Sequence, residues 1–452
     1  TLMLLLLCLS LAQGMSKKET LPEDEFARRI AIFTNELREL NAIGVIHSAP
    51  VHERNSDIAF QYRQDSDLFY LTGWTLPQAV LVITPQEEGS EKDEVYLFVK
   101  ERNPKREVWT GPQPGLIEAR SRPGIEQSYA YDNYDEHIPK LMSSYDRLVI
   151  SYGGSDKFET DIQRLLKETW IRPRIVQEAT SILKYHRLIK SPEEIRTLEK
   201  AISITGSTLN DVIQKIPSLN FEYEVAAEIE YGFKKRGAER LGFPSIVGAG
   251  KNATYLHYET NRSPLQQQDL ILLDVGAEWD YYAADVSRTV PISGKFGTEQ
   301  ALIYQLVLDA QEAAIASVKP GIAFKEPHAV AVNILTSGLI KLGLLSGDVD
   351  ENIQKSTYRK FFMHGTSHWL GLDVHDTGGH MNYDGSPHLL KQNMILTVEP
   401  GIYISQSEDV DPKWWNIGVR IEDDVLVTKK GYRVLSASIP KSIQAIEELM
   451  QP

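Results

Sequence analysis

The stretch LLDVGAEWDYYAADVSRT, residues 272–289, sets two acids, Asp274 and Asp285, among Leu, Val, Ala and Tyr. A lone carboxylate is costly to bury, so the pair asks for a chemical reason. If residues 269–276 and 282–289 are the arms of a hairpin turning at Trp279 and Asp280, paired numbers sum to 559 and Asp274 lies directly opposite Asp285. Directly opposed side chains share a face, with Cβ atoms about 4.5–5.5 Å apart. Two like charges held there need a proton or a cation between them. The blander alternative is that one aspartate caps a turn and the other is solvated.

Further along, HGTSHWLGLDVHDTGGH places His364, His368, His375 and His380 within 17 residues, out of 11 histidines in the chain. A lone histidine is more often a satisfied core or surface group than a ligand, but four together favour a site. The apolar run MILTVEPGIYI carries Glu399, and IGVRIEDDVLVT carries Arg420, Glu422 and Asp424 on one face by period two. If these two strands pair across residues 405–416 with a sum of 821, Glu399 faces Glu422. Two facing acid pairs with histidines nearby suit a dinuclear divalent site, where carboxylate oxygens bridge cations roughly 3.5–4 Å apart. A purely structural reading must bury four carboxylates with only Arg420 evident as a partner.

The elements that must position these residues fall into two regions, the first α/β in character. Residues 22–180 alternate a helix near 23–41 with the strand-like runs AVLVITP, EVYLFVK and RLVISYG and a polar helix near 156–168. Ser191, Pro192 and Glu194 then spell a capped helix start, which sets a boundary at about 180–190. Helices at 192–215 and 222–236, strands at 244–290, helices at 298–317 and 326–343 and strands from 361 to 428 follow. Two rounds of helices and then strands suggest a duplicated α+β unit.

Composition removes several function classes. The 452 residues, 42% apolar and 9% aromatic, can bury sizeable cores. A net charge of -14, from 62 acids against 48 bases, repels phosphate backbones and argues against nucleic acid. Cys8 is the only cysteine, so neither an intramolecular disulfide nor a cysteine-rich zinc site is available. No apolar run reaches the length of a membrane span. The first 14 residues, TLMLLLLCLSLAQG, have the length and small-residue end of a signal peptide but no preceding basic residue. A start at Met15 and a cytoplasmic location is the favoured expectation, with export the alternative.

With these residues assembled, the chain resembles the pita-bread metallopeptidases, and among them bacterial aminopeptidase P. The likeness spans both halves: RNSDIAFQYRQDSDLFYLTGW in the first, then IVGAGKNATYLHY, LLDVGAEWDYYAADVSRT, FFMHGTSHWLGLDVHD, LTVEPGIYI and GVRIEDD in order in the second. HGTSHWLGLDVHD sets it apart from prolidases. The resemblance implies an α/β N-terminal domain of creatinase type at 15–185 and an α+β pita-bread catalytic domain at 186–452. It implies removal of the N-terminal residue from peptides with proline second, by a hydroxide held between two divalent ions, usually Mn2+.

The resemblance also implies roles. Asp274 would chelate one ion, Asp285 and Glu422 would bridge both, and His368 and Glu399 would complete one shell each. Glu399 would double as general base. His257 and His375 would contact the oxyanion or the substrate backbone, with His364 a further pocket residue. Arg420 would hold bridging carboxylates in place, with Tyr403 and Asp57 in the same network. Trp109 would be the aromatic that one subunit lends to its neighbour, implying a homo-oligomer, a dimer or a tetramer built from dimers. The stretch HMNYDGSPH lacks a basic residue that some members use, and Phe243 and Pro244 stand where relatives are more polar, so substrate length and first-residue preference stay open. The competing readings are a prolidase-type dipeptidase with organophosphate side activity and, from another class, a binding protein without catalysis, which the five competent ligand positions disfavour.

Overall fold

The protein is described from a computed structural model that covers residues 21–86, 93–153, 156–168, 173–382 and 384–451; the apolar segment 1–14 and Met15 lie outside them. In the first region the runs anticipated as strands form Ala79–Thr84, Glu94–Val99 and Arg147–Ile150. They join Ala42–His47, Gln127–Ala130 and Ile175–Glu178 in one six-stranded mixed sheet. Ala42–His47 runs antiparallel to Ala79–Thr84 and parallel to Arg147–Ile150. Ala42–His47 and Ala79–Thr84 are buried at every residue rather than at alternate ones, as expected of central strands covered on both faces. One cover is the helix Glu23–Glu39, which sets Phe26, Ile30, Phe33 and Leu37 inward at helical spacing. The helices Asp156–Glu168 and Tyr134–Met142 pack on the other face through Phe158 and Ile138.

The second region opens at Pro192–Lys215. Ser191 Oγ accepts from Glu194 N at 3.2 Å while Glu194 Oε2 accepts from Ser191 N at 2.9 Å, the reciprocal cap that the sequence spells. Glu222–Lys235, Thr298–Ser317 and Glu326–Lys341 surround a sheet whose long pair is Leu270–Val275 with Val286–Pro291. The expectation of strands throughout 361–428 is corrected: regular strands begin at Ile395, and the described residues among 361–394 are irregular chain held by single bridges such as Trp369 to Leu396. Five glycines and Pro387 fall in that span and weaken any ladder there.

The two regions share apolar contact. Tyr281 stacks on Phe69 with centroids 3.8 Å apart and planes 15° off parallel, and Tyr282, Leu370 and Ile395 belong to the same cluster as Phe26 and Leu71. Buried Arg29 reaches across to the Tyr282 hydroxyl at 3.2 Å. No helix among the described residues is long and apolar enough to cross a membrane.

Candidate metal centre

Asp274 is the fifth residue of Leu270–Val275, and its partner across the ladder is Ser287, not Asp285. The register sums to 561 rather than 559, because the turn is made by Asp280 and Tyr281, both with positive φ (48° and 70°). That is the primed two-residue turn whose twist matches antiparallel strands. A shift of two residues keeps every side chain on its face, so Asp285 becomes the diagonal neighbour of Asp274 and still points the same way. Gly276 makes the crossing feasible: a Cβ there would meet the Ala284 carbonyl oxygen at 1.7 Å.

The second pair keeps the expected register. Val398 pairs with Asp423 and Gly401 with Arg420, both summing to 821, and the ladder opens between them at Glu399–Pro400 and Ile421–Glu422. Proline has no N–H to donate, so the two strands part where the acids sit. Glu399 N instead donates to the Thr366 carbonyl at 2.8 Å, and Glu422 N to the Ser287 carbonyl at 3.1 Å, which brings the two strand pairs together.

His368 Nδ1 lies 3.1 Å from the Trp369 carbonyl; donating there leaves the Nε2 lone pair free, 3.2 Å from Asp285 Oδ2 and 3.5 Å from Glu399 Oε1. One ligand atom from each of Asp285, His368 and Glu422 falls within 4.8 Å of the others. Asp274 Oδ1 and Asp285 Oδ1 are buried and make no hydrogen bond. Burial, reinforced by the charges of Asp274, Asp424 and Glu399, pushes the Asp285 carboxyl well above the usual range. Glu422 is driven up in the same way by burial, Asp285 and Glu399, and burial also raises Glu399. Hard oxygens crowded together, with buried lone pairs unused and one imidazole nitrogen facing them, are the donor set that divalent cations require.

Arg420, 3% exposed, is the organising cation. Its Nη2 donates to Asp274 Oδ2 at 2.6 Å, its Nε to Ser287 Oγ at 2.8 Å and its Nη1 to the Tyr403 hydroxyl at 2.9 Å. Ser287 Oγ in turn donates to Glu422 Oε2 at 2.9 Å, so Arg420 touches one acid directly and a second through Ser287. The Tyr403 hydroxyl lies 2.7 Å from His364 Nε2. Burial and then the Arg420 charge hold His364 down to about 3, while burial lifts Tyr403 to about 12. Both therefore stay neutral near pH 7, with the tyrosine donating to the imidazole.

Asp274, Asp285, His257, His364, His368, His375, Glu399, Arg420, Glu422 and Phe243 line one cavity of about 450 Å3. The His375 ring stands 4.3 Å from that of His368, and burial followed by the His368 and His257 charges lowers its pKa. Two expected residues lie elsewhere. Asp57 is exposed in the turn between Glu53–Asn55 and Ile58–Ala59 and does not line the cavity of its own chain. Trp109, 88% exposed on the helix Pro104–Thr110, does not reach the cavity of its own chain. Sequence reasoning missed Ser287, although period two from Asp285 put it on the acid face. It named Asp424 without a role; its Oδ2 accepts from Asp285 N at 3.3 Å behind the site.

The chain is similar to known proteins over nearly its whole length. Residues 196–429 match the model of metallopeptidase family M24, and residues 26–150 match that of the aminopeptidase P N-terminal domain. The chain is 37% identical over 431 residues to an Xaa-Pro aminopeptidase of Haemophilus influenzae, covering 95% of this chain and 98% of that protein. It is similar to aminopeptidase PepP of Pseudomonas aeruginosa, with a TM-score of 0.89, 38% identity and coverage of 95% and 98%. It is also similar to zinc-substituted aminopeptidase P of Escherichia coli in complex with product, with a TM-score of 0.90, 35% identity and the same coverage. The fold is thus an aminopeptidase P N-terminal domain followed by a pita-bread catalytic domain, and the chain belongs to metallopeptidase family M24.

Proposed function

We propose that this protein is an Xaa-Pro aminopeptidase that uses two divalent ions, Mn2+ by preference, held by Asp274, Asp285, His368, Glu399 and Glu422. The observation that carries the reading is the meeting of four carboxylates and one imidazole at a single cavity, with Asp274 Oδ1 and Asp285 Oδ1 buried and unbonded. When bound, such ions lower the pKa of a water and polarise the scissile carbonyl. Glu399 would serve as the general base, taking a proton from the attacking water and giving it to the departing proline nitrogen. His257 and His375 donate toward the oxygen that gains charge. Arg420 orients Asp274, and Tyr403 and His364 extend its chain to the cavity wall.

The preference for proline rests on the likeness to Xaa-Pro aminopeptidases. The domain division at 185/186 and a homo-oligomer belong to the same reading. Trp109, Val108 and Ile117 are each more than four-fifths exposed, an apolar group suited to contact a second copy. The test is turnover of an Xaa-Pro-Xaa tripeptide against an Xaa-Pro dipeptide, with metal content measured, before and after chelation and Mn2+ addition. Tripeptide turnover that vanishes with the metal and returns with Mn2+ is expected. A strong preference for the dipeptide would assign the chain to the prolidase type, and full activity without metal would overturn the site.

A further inference from the structure

A second assembly of charge, centred on a buried arginine, lies where the two regions meet. Arg187, in the last turn of Thr180–Leu188, is 3% exposed. Its Nη1 donates to Asp67 Oδ1 at 2.8 Å, and its Nη2 to Asp373 Oδ2 at 2.7 Å and to Asp376 Oδ1 at 2.5 Å. Asp67 belongs to Ser66–Thr72 of the N-terminal region, whereas Asp373 and Asp376 flank His375.

The loop 371–377 contains no helix or strand, so no ladder sets its shape. Polar ties do so instead. Ser66 Oγ donates to Asp373 Oδ1 at 2.7 Å, Arg63 Nη2 to the Leu372 carbonyl at 2.5 Å and Lys190 Nζ to Asp376 Oδ2 at 3.0 Å. A Cβ at Gly371 would stand 2.1 Å from Asp376 Oδ2, so the carboxylate folds back over a position only glycine leaves open. His375 is the partition: it lines the catalytic cavity on one side and, on the other, a polar cavity of about 440 Å3 bounded by Asp67, Arg187 and Asp373. A catalytic side chain on irregular backbone acts only as well as its supports are fixed.

We infer that Arg187 is a positioning residue. By tying the acids on both sides of His375 to Asp67, it makes the N-terminal region the support that aims the His375 imidazole into the catalytic cavity. This rests on the role given to His375 above.

Arg187 holds three carboxylates and its loss endangers folding, so Asp373→Asn and Asp67→Asn loosen the clamp one tie at a time. Each is assayed for kcat and KM on the tripeptide, alone and combined with His375→Ala, with melting temperature and bound metal recorded. Each single variant should lower kcat about tenfold with KM nearly unchanged and metal content intact, since small misplacement of a catalytic group is costly. In the His375→Ala background neither should cost anything more, because a residue acting through another is silent once that one is gone. Losses that multiply in the double variants would overturn the clamp, as would full kcat in both asparagine variants while His375→Ala is impaired. Full kcat in His375→Ala alone would instead overturn the role of His375, and with it this inference.

Discussion

Glu422 and Asp423 are chain neighbours, both at most 1% exposed, yet they live in opposite electrostatic worlds. Asp423 accepts from Arg288 Nη2 at 2.7 Å and Lys441 Nζ at 2.8 Å, with Gln311 and Ser436 filling its remaining lone pairs. Burial would raise its pKa, but Arg288 and Lys441 outweigh that and hold the carboxyl far below its usual range. Glu422 faces away from that cluster, into a site with four acids and one arginine, and its carboxyl is driven up instead. The interface cluster around Arg187 follows the first pattern. Burial would lift Asp373, and Arg187 and Arg63 hold it down, whereas Asp65, which caps Ser66–Thr72, is raised to about 7 by burial and Asp67. Balanced clusters hold structure, and a cluster short of positive charge is a place for cations from outside.

Breaking the short-handed cluster should cost the most function. Glu399→Ala and Asp285→Asn are each expected to lower turnover by more than the roughly hundredfold typical of residues that only support a metal ligand, with circular dichroism unchanged. Activity within tenfold of the parent would mean the centre is elsewhere. The balanced cluster should show the reverse. Asp423→Asn leaves Arg288 and Lys441 without their carboxylate and should cost about 3–5 kcal/mol in urea denaturation. Metal-free Asp285→Asn should unfold no more easily than the metal-free parent, because it removes a charge that had no partner.

The smallest effect sharpens the same rule with a cation. Burial holds His47 at about 4, against 6.5 for the free side chain. Above pH 6.5 both states are neutral and stability is complete. As pH falls toward 4 the unfolded chain takes the proton first, so stability drops by at most about 1.4 kcal/mol per pH unit. Comparing the slope of stability against pH in the parent and in His47→Gln isolates this contribution, and identical slopes would refute it.

Much of this was legible in the chain. Ser191, Pro192 and Glu194 announced a helix start through local hydrogen bonds, and the apolar alternation around Glu399 and Glu422 limited the registers that keep both acids on one face. The register of the first hairpin was misread by two positions because Tyr281, unlike Asp280, is not a residue that advertises positive φ. The error spared the chemistry, since faces repeat every two residues. The Arg187 assembly could not be read at all: its members lie at 67, 187, 373 and 376, and nothing local links them.

That Tyr281 rests flat against Phe69 means a side chain from the first half of the molecule clasps the very bend that counts out the strands carrying the acids. A catalytic half produced by itself would lose that ruler. Its strands would be free to settle two residues over, with every apolar residue still inside and the ligand cage quietly out of true.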